Sequence, residues 1–188
     1  APEIETTPSG VPVSQIEEVV DQVMADKIGK HSPGAAVAIV KGGELIFSKG
    51  YGVSDIDKQT PVTASDTVFE IGSVSKTFTW TAVMQLVEAG ELDLDTDIRE
   101  YIGYDRLNLN FDEPVTLLNL MNHTAGFEEN ASEMMTFNKE DIIPLEEWVS
   151  TAHQTKQIYK PGTVVAYSNF STDIAGYIVQ LASGERYE

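Results

Sequence analysis

The chain opens with a polar stretch, after which apolar residues recur first at helical and then at strand-like intervals. Apolar positions three and four residues apart predict a surface helix over residues 14–28, and Ser14 and Glu17 have the spacing of a capping box at its start. Two apolar runs, residues 35–40 and 44–53, flank a glycine turn and predict a β-hairpin. Because the first run is nearly all apolar, we expect its strand to be covered on both faces.

Helical periodicity dominates the rest of the chain. It predicts a helix over residues 73–89, ended by Gly90, and further helices over residues 116–122, 145–155 and 171–182. Strands therefore come first and helices follow, without the strand–helix alternation that a parallel sheet requires. This order predicts an α+β fold.

The domain organisation follows from the ends of this pattern. Residues 1–13 are polar and carry three prolines, which predicts an extended N-terminal arm. We interpret residues 14–188 as the N-terminal and helical portion of a single catalytic domain. A two-stranded sheet is marginal alone and leaves two unpaired edges. We therefore expect an incomplete sheet, with the late strands of the domain lying beyond residue 188.

The charge balance excludes several classes of partner. Acidic residues outnumber basic ones by 30 to 12, so the formal net charge is −18. Such a surface repels phosphate backbones and anionic headgroups, and we expect no nucleic acid partner and no electrostatic membrane binding. No apolar run approaches the roughly 18 residues of a membrane span. The polar start, with neither methionine nor an apolar leader, is typical of a mature exported protein and predicts an extracellular or cell-envelope location.

The sequence shows no set of side chains with the spacing of metal or cofactor ligands. The chain contains no cysteine, which excludes disulfides, thiolate metal sites and a cysteine nucleophile. Its three histidines are scattered without the spacing of metal ligands. We therefore expect neither a metal nor a cofactor.

The segment Ser73-Val74-Ser75-Lys76 carries the first candidate chemistry. Residues three apart share one face of a helix, so the Lys76 ammonium can reach the Ser73 hydroxyl. The unpaired N–H groups and the dipole of a first helical turn favour negative charge developing there. A lysine in a dry cleft can help to remove the proton of a serine nucleophile. The same residues also fit a capping serine beside a solvated lysine, and the motif alone leaves both interpretations open.

The second candidate segment is Tyr167-Ser168-Asn169, which leads into the last predicted helix. A cationic Lys76 beside Tyr167 would favour the phenolate, which could act as a general base toward Ser73. Asn169 offers an amide donor and acceptor, suited to hold Lys76 or a substrate carbonyl. A buried tyrosine with a satisfied hydroxyl and an asparagine in a loop is the structural alternative.

Together these segments resemble the serine β-lactamase and penicillin-binding protein superfamily, in the branch that includes class C β-lactamases, D,D-carboxypeptidases and family VIII esterases. The resemblance covers most of residues 35–184 and implies a β-lactamase/transpeptidase-like fold, in which helices and a largely helical subdomain flank an antiparallel sheet. Four stretches carry it, in this order along the chain: residues 69–79 (FEIGSVSKTFT), 89–95 (AGELDLD), 117–127 (LLNLMNHTAGF) and 161–169, from Pro161-Gly162 to Tyr167-Ser168-Asn169.

The resemblance implies a role for each of four residues. Ser73 would be the acylated nucleophile and Lys76 its partner in proton transfer. Tyr167 would act as general base and later as general acid, and Asn169 would bind or position the substrate. These roles come from the family and are carried over position by position onto the matching motifs.

One family motif has no counterpart in the sequence. The third motif, a K-T-G or H-x-G triplet on a late strand, is absent from residues 1–188. The stretch that begins at His123 is a different feature, because it follows an apolar helical run and its Gly126 suits a helix-ending turn. We therefore interpret His123 as structural.

These residues predict a serine acyl-transfer hydrolase that works through a Ser73 acyl-enzyme. Its substrates would be β-lactams, D-alanyl peptides or small esters, and the sequence leaves that choice open. The alternatives are a penicillin-binding or sensor module, acylated without efficient turnover, and a structural remnant. We expect a small-molecule or peptide substrate, and we expect activity to need the remaining C-terminal segment of the domain, in cis or as a second chain.

Overall fold

A computed structural model gives the structure of the chain and describes residues 5–129, 136, 138–150 and 156–187. The described residues form two compact units, with the boundary in the chain between Glu70 and Ile71. The first unit holds the strands and the second holds most of the helices, so the predicted α+β class is confirmed. Among the described residues, no helix combines the length and the apolar character needed to cross a membrane.

In the described part of the first unit, three strands form an antiparallel sheet in the order β1, β2, β3. β1 (Gly34–Lys41) and β2 (Glu44–Asp55) make the predicted hairpin. The turn residues between them, Gly42 and Gly43, both have positive φ, which glycine adopts without a Cβ clash. β3 (Thr60–Pro61) adds only a two-residue pairing to the far end of β2. The sheet is thus incomplete, as predicted.

The first strand is less covered than its composition predicts. Side chains along β1 alternate between half-buried and exposed, and Val40 exposes 63% of its surface. Helix α1 (Ile16–Ala25) packs against β2, where Lys49 forms ion pairs with Glu17 and Asp21. The prediction of two covered faces is therefore wrong within this unit, because the described part of the unit places no second layer over the exposed side chains of β1.

The start of α1 also differs from the prediction. A 3-10 turn, Val13–Gln15, precedes the helix, so Ser14 lies inside that turn and not at the N-cap position. Gln15 occupies the N-cap position without a side-chain hydrogen bond, and the predicted capping box is not formed. Residues 5–12 contain a turn that is closed by a bridge between Thr6 and Pro12. The division of the chain into an arm and a domain stays a prediction.

The second unit is built around one central helix. A 3-10 turn at Gly72–Ser75 leads into the first of its helices, and another lies at Lys139–Asp141. The α-helices are α2 (Lys76–Glu88), α3 (Arg99–Ile102), α4 (Leu117–Met121), α5 (Leu145–Ser150) and α6 (Asn169–Ser183).

Helix α6 occupies the centre of this unit and contacts the other four helices. Its Ile174 and Ile178 are fully buried, as their spacing predicts, whereas Leu181 on the same predicted face is 46% exposed. The predicted helix over residues 145–155 is observed as far as Ser150, and residues 151–155 lie outside the described residues. The core that forms around α6 fixes the position of its N-terminus, where Asn169 begins the helix.

Candidate active site

Ser73 lies in the 3-10 turn that precedes α2, rather than in the predicted α-helical turn, and Lys76 is the first residue of α2. Gly72 enters this turn with φ 53°, and the Val74 N–H closes it by donating to the Ile71 carbonyl at 3.2 Å. The turn places the Lys76 Nζ 3.1 Å from the Ser73 Oγ, to which it donates. Ser73 is exposed and Lys76 is half-buried, so the serine hydroxyl is open to a molecule arriving from solvent.

Tyr167 and Asn169 flank the N-terminus of α6. The buried Ser168 caps this helix, because its Oγ accepts a hydrogen bond from the Ser171 N–H at 3.1 Å. The cap residue has extended backbone, which makes Asn169 the first residue of the helix and leaves Tyr167 immediately before Ser168. Two side chains that are adjacent to one cap therefore project from a fixed point of the core.

The structure brings all four predicted site residues together. The Tyr167 hydroxyl donates to the Ser73 Oγ at 2.6 Å, across 94 residues of sequence. The Asn169 Oδ1 accepts from the Lys76 Nζ at 2.5 Å, and the same Nζ lies 5.0 Å from the centre of the Tyr167 ring. Ser73 and Lys76 each contact a residue at the start of α6. Of the two partners considered for Asn169 in the sequence, the structure places Lys76 against it.

The electrostatics of the site favour ionisation of the tyrosine. Hydrogen bonds with Lys76, and then with Ser73, lower the pKa of Tyr167 below its ordinary value of 10. An ammonium stabilises the phenolate in preference to the neutral phenol, which is the physical reason for this direction. The arrangement can therefore supply a base next to a serine hydroxyl.

His123 lies against Tyr167. The sequence analysis does not predict this contact. The centres of the two rings are 4.4 Å apart, and the His123 Nδ1 accepts from the Ser168 N–H at 3.3 Å. Burial, followed by repulsion from Lys76, lowers the pKa of His123, which favours the neutral imidazole. Its place within residues 117–127, one of the four stretches that carry the family resemblance, was the signal available in the sequence. His123 supports the tyrosine ring without contacting the Ser73 hydroxyl.

A tight backbone crossing connects the loop of His123 to the segment that carries Tyr167. The Gly126 carbonyl accepts from the N–H groups of Ile158 (2.8 Å) and Tyr159 (3.1 Å), and the His123 carbonyl accepts from Ala166 (2.8 Å). Gly126 has φ 86°, and a Cβ built on it would lie 1.9 Å from the Tyr159 carbonyl oxygen. Only glycine fits at this crossing, which holds the Tyr167 segment in place.

Glu129 is a second site residue that sequence reasoning missed. Its carboxylate accepts from the Asn169 backbone N–H at 2.8 Å and from the Asn169 Nδ2 at 2.6 Å. Within the described ranges, no group of three or more histidine, aspartate or glutamate side chains could hold a metal ion.

Comparison with known proteins identifies the family of the chain. A sequence model of the Beta-lactamase family matches residues 16–188. The chain belongs to the beta-lactamase family. The described part of the chain accordingly has the β-lactamase/transpeptidase-like fold that the sequence predicts, with an incomplete antiparallel sheet.

Two curated relatives show how much of a longer protein the match spans. Protein flp of Staphylococcus aureus (strain N315) is 31% identical over 175 residues, which are 91% of this chain and 34% of that protein. Penicillin-binding protein 4 of Amycolatopsis lactamdurans is 32% identical over 165 residues, which are 84% of this chain and 40% of that protein. The chain therefore spans well under half the length of these beta-lactamase family relatives.

Solved structures of penicillin-binding protein homologues and class C beta-lactamases are similar to this chain in fold. The octameric penicillin-binding protein homologue from Pyrococcus abyssi matches with a TM-score of 0.75 and 29% identity, over 94% of this chain and 40% of that chain. A class C beta-lactamase in complex with cefoxitin matches with a TM-score of 0.69 and 29% identity, over 94% of this chain and 47% of that chain.

Proposed function

We propose that the chain is the front part of a serine acyl-transfer hydrolase that acts through an ester on Ser73. The observation that carries the proposal is the contact of the Ser73 Oγ with both the Lys76 Nζ (3.1 Å) and the Tyr167 hydroxyl (2.6 Å). A serine hydroxyl needs an adjacent base to become a nucleophile, and here the candidate base has a lowered pKa. The substrates would be β-lactams, D-alanyl peptides or small esters.

Acylation would involve two proton transfers, one from Ser73 to Tyr167 and one from Tyr167 to the leaving group. Ionised Tyr167 takes the Ser73 proton across the 2.6 Å contact while Oγ forms a bond to the carbonyl carbon of the substrate. When the tetrahedral intermediate collapses, its bond to the leaving nitrogen or oxygen breaks, and Tyr167 returns the proton to that atom. Lys76, whose Nζ contacts the Ser73 Oγ, stabilises the phenolate. Hydrolysis of the Ser73 ester by water then restores the free serine.

Stabilisation of the oxyanion would need a further segment of the domain. The family resemblance assigns one oxyanion donor to the Ser73 N–H and the other to the late strand of the K-T-G or H-x-G triplet, which residues 1–188 do not contain. Loss of one such donor typically costs about 10²–10³ in rate. We propose that the segment is supplied in cis or as a second chain, and that the 188 residues alone react slowly.

Covalent labelling tests the proposal directly. The chain is incubated with a fluorophosphonate probe, and intact mass spectrometry followed by fragmentation locates any adduct. We expect one adduct, on the peptide that contains Ser73, together with turnover of nitrocefin and p-nitrophenyl esters far below that of an intact enzyme of the family. An adduct on a different residue, or no adduct after prolonged incubation at high probe concentration, would refute the serine hydrolase proposal.

The missing triplet favours a second candidate, a penicillin-binding or sensor module that is acylated without efficient turnover. Such a module holds its acyl-enzyme against water, whereas a β-lactamase hydrolyses it quickly. Pre-steady-state kinetics with a chromogenic cephalosporin separate the two functions. A burst of one equivalent without steady turnover, in a chain completed by its C-terminal segment, indicates the binding module.

Replacing Tyr167 with phenylalanine is expected to slow phosphonylation of Ser73 by about 10²-fold, because removal of a general base typically costs 10²–10⁴. The variant keeps the ring that contacts His123 and loses only the hydroxyl that contacts Ser73. Intact mass spectrometry over time gives the rate. Tyr159→Phe, a partly exposed tyrosine in the same segment, is the matched control. Equal rates for the two variants would exclude Tyr167 as the base.

A further inference from the structure

Glu129 directly follows a backbone pairing between the loop after α4 and residues 156–157. The Glu128 N–H donates to the Lys156 carbonyl at 2.8 Å, and Phe127 pairs with Gln157 in an isolated bridge. These contacts anchor the loop directly before Glu129, whose half-buried side chain turns toward Asn169. The carboxylate therefore reaches the site from a fixed stretch of backbone.

The Asn169 amide is held between two groups of opposite hydrogen-bonding character. Its Oδ1 accepts from the Lys76 Nζ at 2.5 Å, and its Nδ2 donates to the Glu129 Oε1 at 2.6 Å. An ammonium only donates hydrogen bonds and an ionised carboxylate only accepts them. Rotation of the amide by 180° would therefore set donor against donor and acceptor against acceptor, and only the observed orientation satisfies both partners.

The second carboxylate oxygen fixes the backbone of the same residue. The Glu129 Oε2 accepts from the Asn169 N–H at 2.8 Å, one of the N–H groups that have no partner within the helix at the start of α6. Negative charge is favoured at a helix N-terminus, and hydrogen bonds to an ionised acceptor are stronger than neutral ones. Glu129 thus holds both the main chain and the side chain of Asn169.

We infer that Glu129 is a positioning residue of the site: its carboxylate binds one N–H of the Asn169 Nδ2 and so holds the amide with Oδ1 toward Lys76. The consequence for acylation rests on the proposed function, since it acts through the Lys76 ammonium that contacts Ser73. Without the carboxylate, the Asn169 amide is free to rotate, and Lys76 loses a fixed acceptor.

The test compares Glu129→Gln with Glu129→Asp, and uses Glu128→Gln, an exposed neighbour, as the matched control. We expect Glu129→Gln to slow phosphonylation of Ser73 by the fluorophosphonate about tenfold, because small misplacements near a reacting group carry costs of up to about 10²-fold. Glu129→Asp keeps the charge and should recover most of the rate. Glu128→Gln should match the unsubstituted chain.

A spectroscopic readout separates this inference from the proposed function. In ¹H–¹⁵N spectra, the side-chain amide protons of Asn169, assigned with Asn169→Asp, should shift upfield in Glu129→Gln and stay in place in Glu128→Gln. If the unsubstituted chain takes up no probe, the proposed function fails, and this shift still tests the contact. An unmoved Asn169 amide in a folded Glu129→Gln variant overturns the inference, even if labelling slows. Equal labelling rates for Glu129→Gln and Glu128→Gln also overturn it.

Discussion

Replacing Lys76 with alanine is expected to slow phosphonylation of Ser73 by about 10³-fold, a larger loss than that expected for Tyr167→Phe. The ammonium contacts the Ser73 Oγ at 3.1 Å and also lowers the pKa of Tyr167, so its removal takes a contact from the nucleophile and reduces the ionised fraction of the base. Labelling rates measured by intact mass spectrometry check this. Lys139→Ala, which removes an exposed lysine from the same unit, should leave the rate unchanged.

The pH profile of the same variant separates a loss of charge from a general loss of structure. Acylation requires ionised Tyr167, so its rate should rise with pH through the pKa of that tyrosine, which lies below 10 in the unsubstituted chain. Without Lys76 the phenolate loses its stabilising cation, the pKa of Tyr167 rises, and the inflection of the profile moves to higher pH. A slower reaction whose inflection stays in place would show that Lys76 does not set the ionisation of Tyr167.

Local spacing is sufficient to predict the first half of the candidate site. Residues three apart in any helical turn share a face, so the contact between Lys76 and Ser73 follows from the sequence whether the turn is α-helical or, as observed, 3-10. Tyr167 is different, because no local rule connects positions 94 residues apart. Its place beside Ser73 follows from the packing of α6 against α2, which only the family resemblance made predictable.

Local sequence signals do not identify Glu129 as a site residue and do not predict the contact of His123 with Tyr167. Glu129 is one of 30 acidic residues in a strongly acidic chain, and nothing in its neighbourhood separates it from a solvated surface carboxylate. His123 was assigned a structural role, and its contact with Tyr167 depends on a backbone crossing between distant loops. The prediction that β1 is covered on both faces fails for a related reason. An apolar run predicts a buried strand, but it does not identify the residues that would cover it.

Replacing Gly126 with alanine is expected to destabilise the second unit by about 3 kcal/mol or more, because the backbone crossing would have to open. The new Cβ would lie 1.9 Å from the Tyr159 carbonyl oxygen and 2.8 Å from its carbon, and backbone atoms cannot move aside as a flexible side chain can. Positive φ at this residue (86°) adds the ordinary left-handed cost of about 1–2 kcal/mol. The crossing fixes the segment that carries Tyr167, so loss of labelling should accompany loss of stability.

Gly184→Ala is the matched control for this prediction. Gly184 ends α6 with φ 72°, close to the value at Gly126, but a Cβ there meets no atom within 4 Å. The control variant should therefore be destabilised only by the conformational cost of a left-handed residue, about 1–2 kcal/mol, because its new Cβ meets no other atom. Both tryptophans, Trp80 and Trp148, lie in the second unit, so urea unfolding followed by tryptophan fluorescence reports on that unit. Equal urea midpoints for the two variants would mean that the backbone at Gly126 accommodates a Cβ without loss of stability. The crossing would then not hold the Tyr167 segment in place.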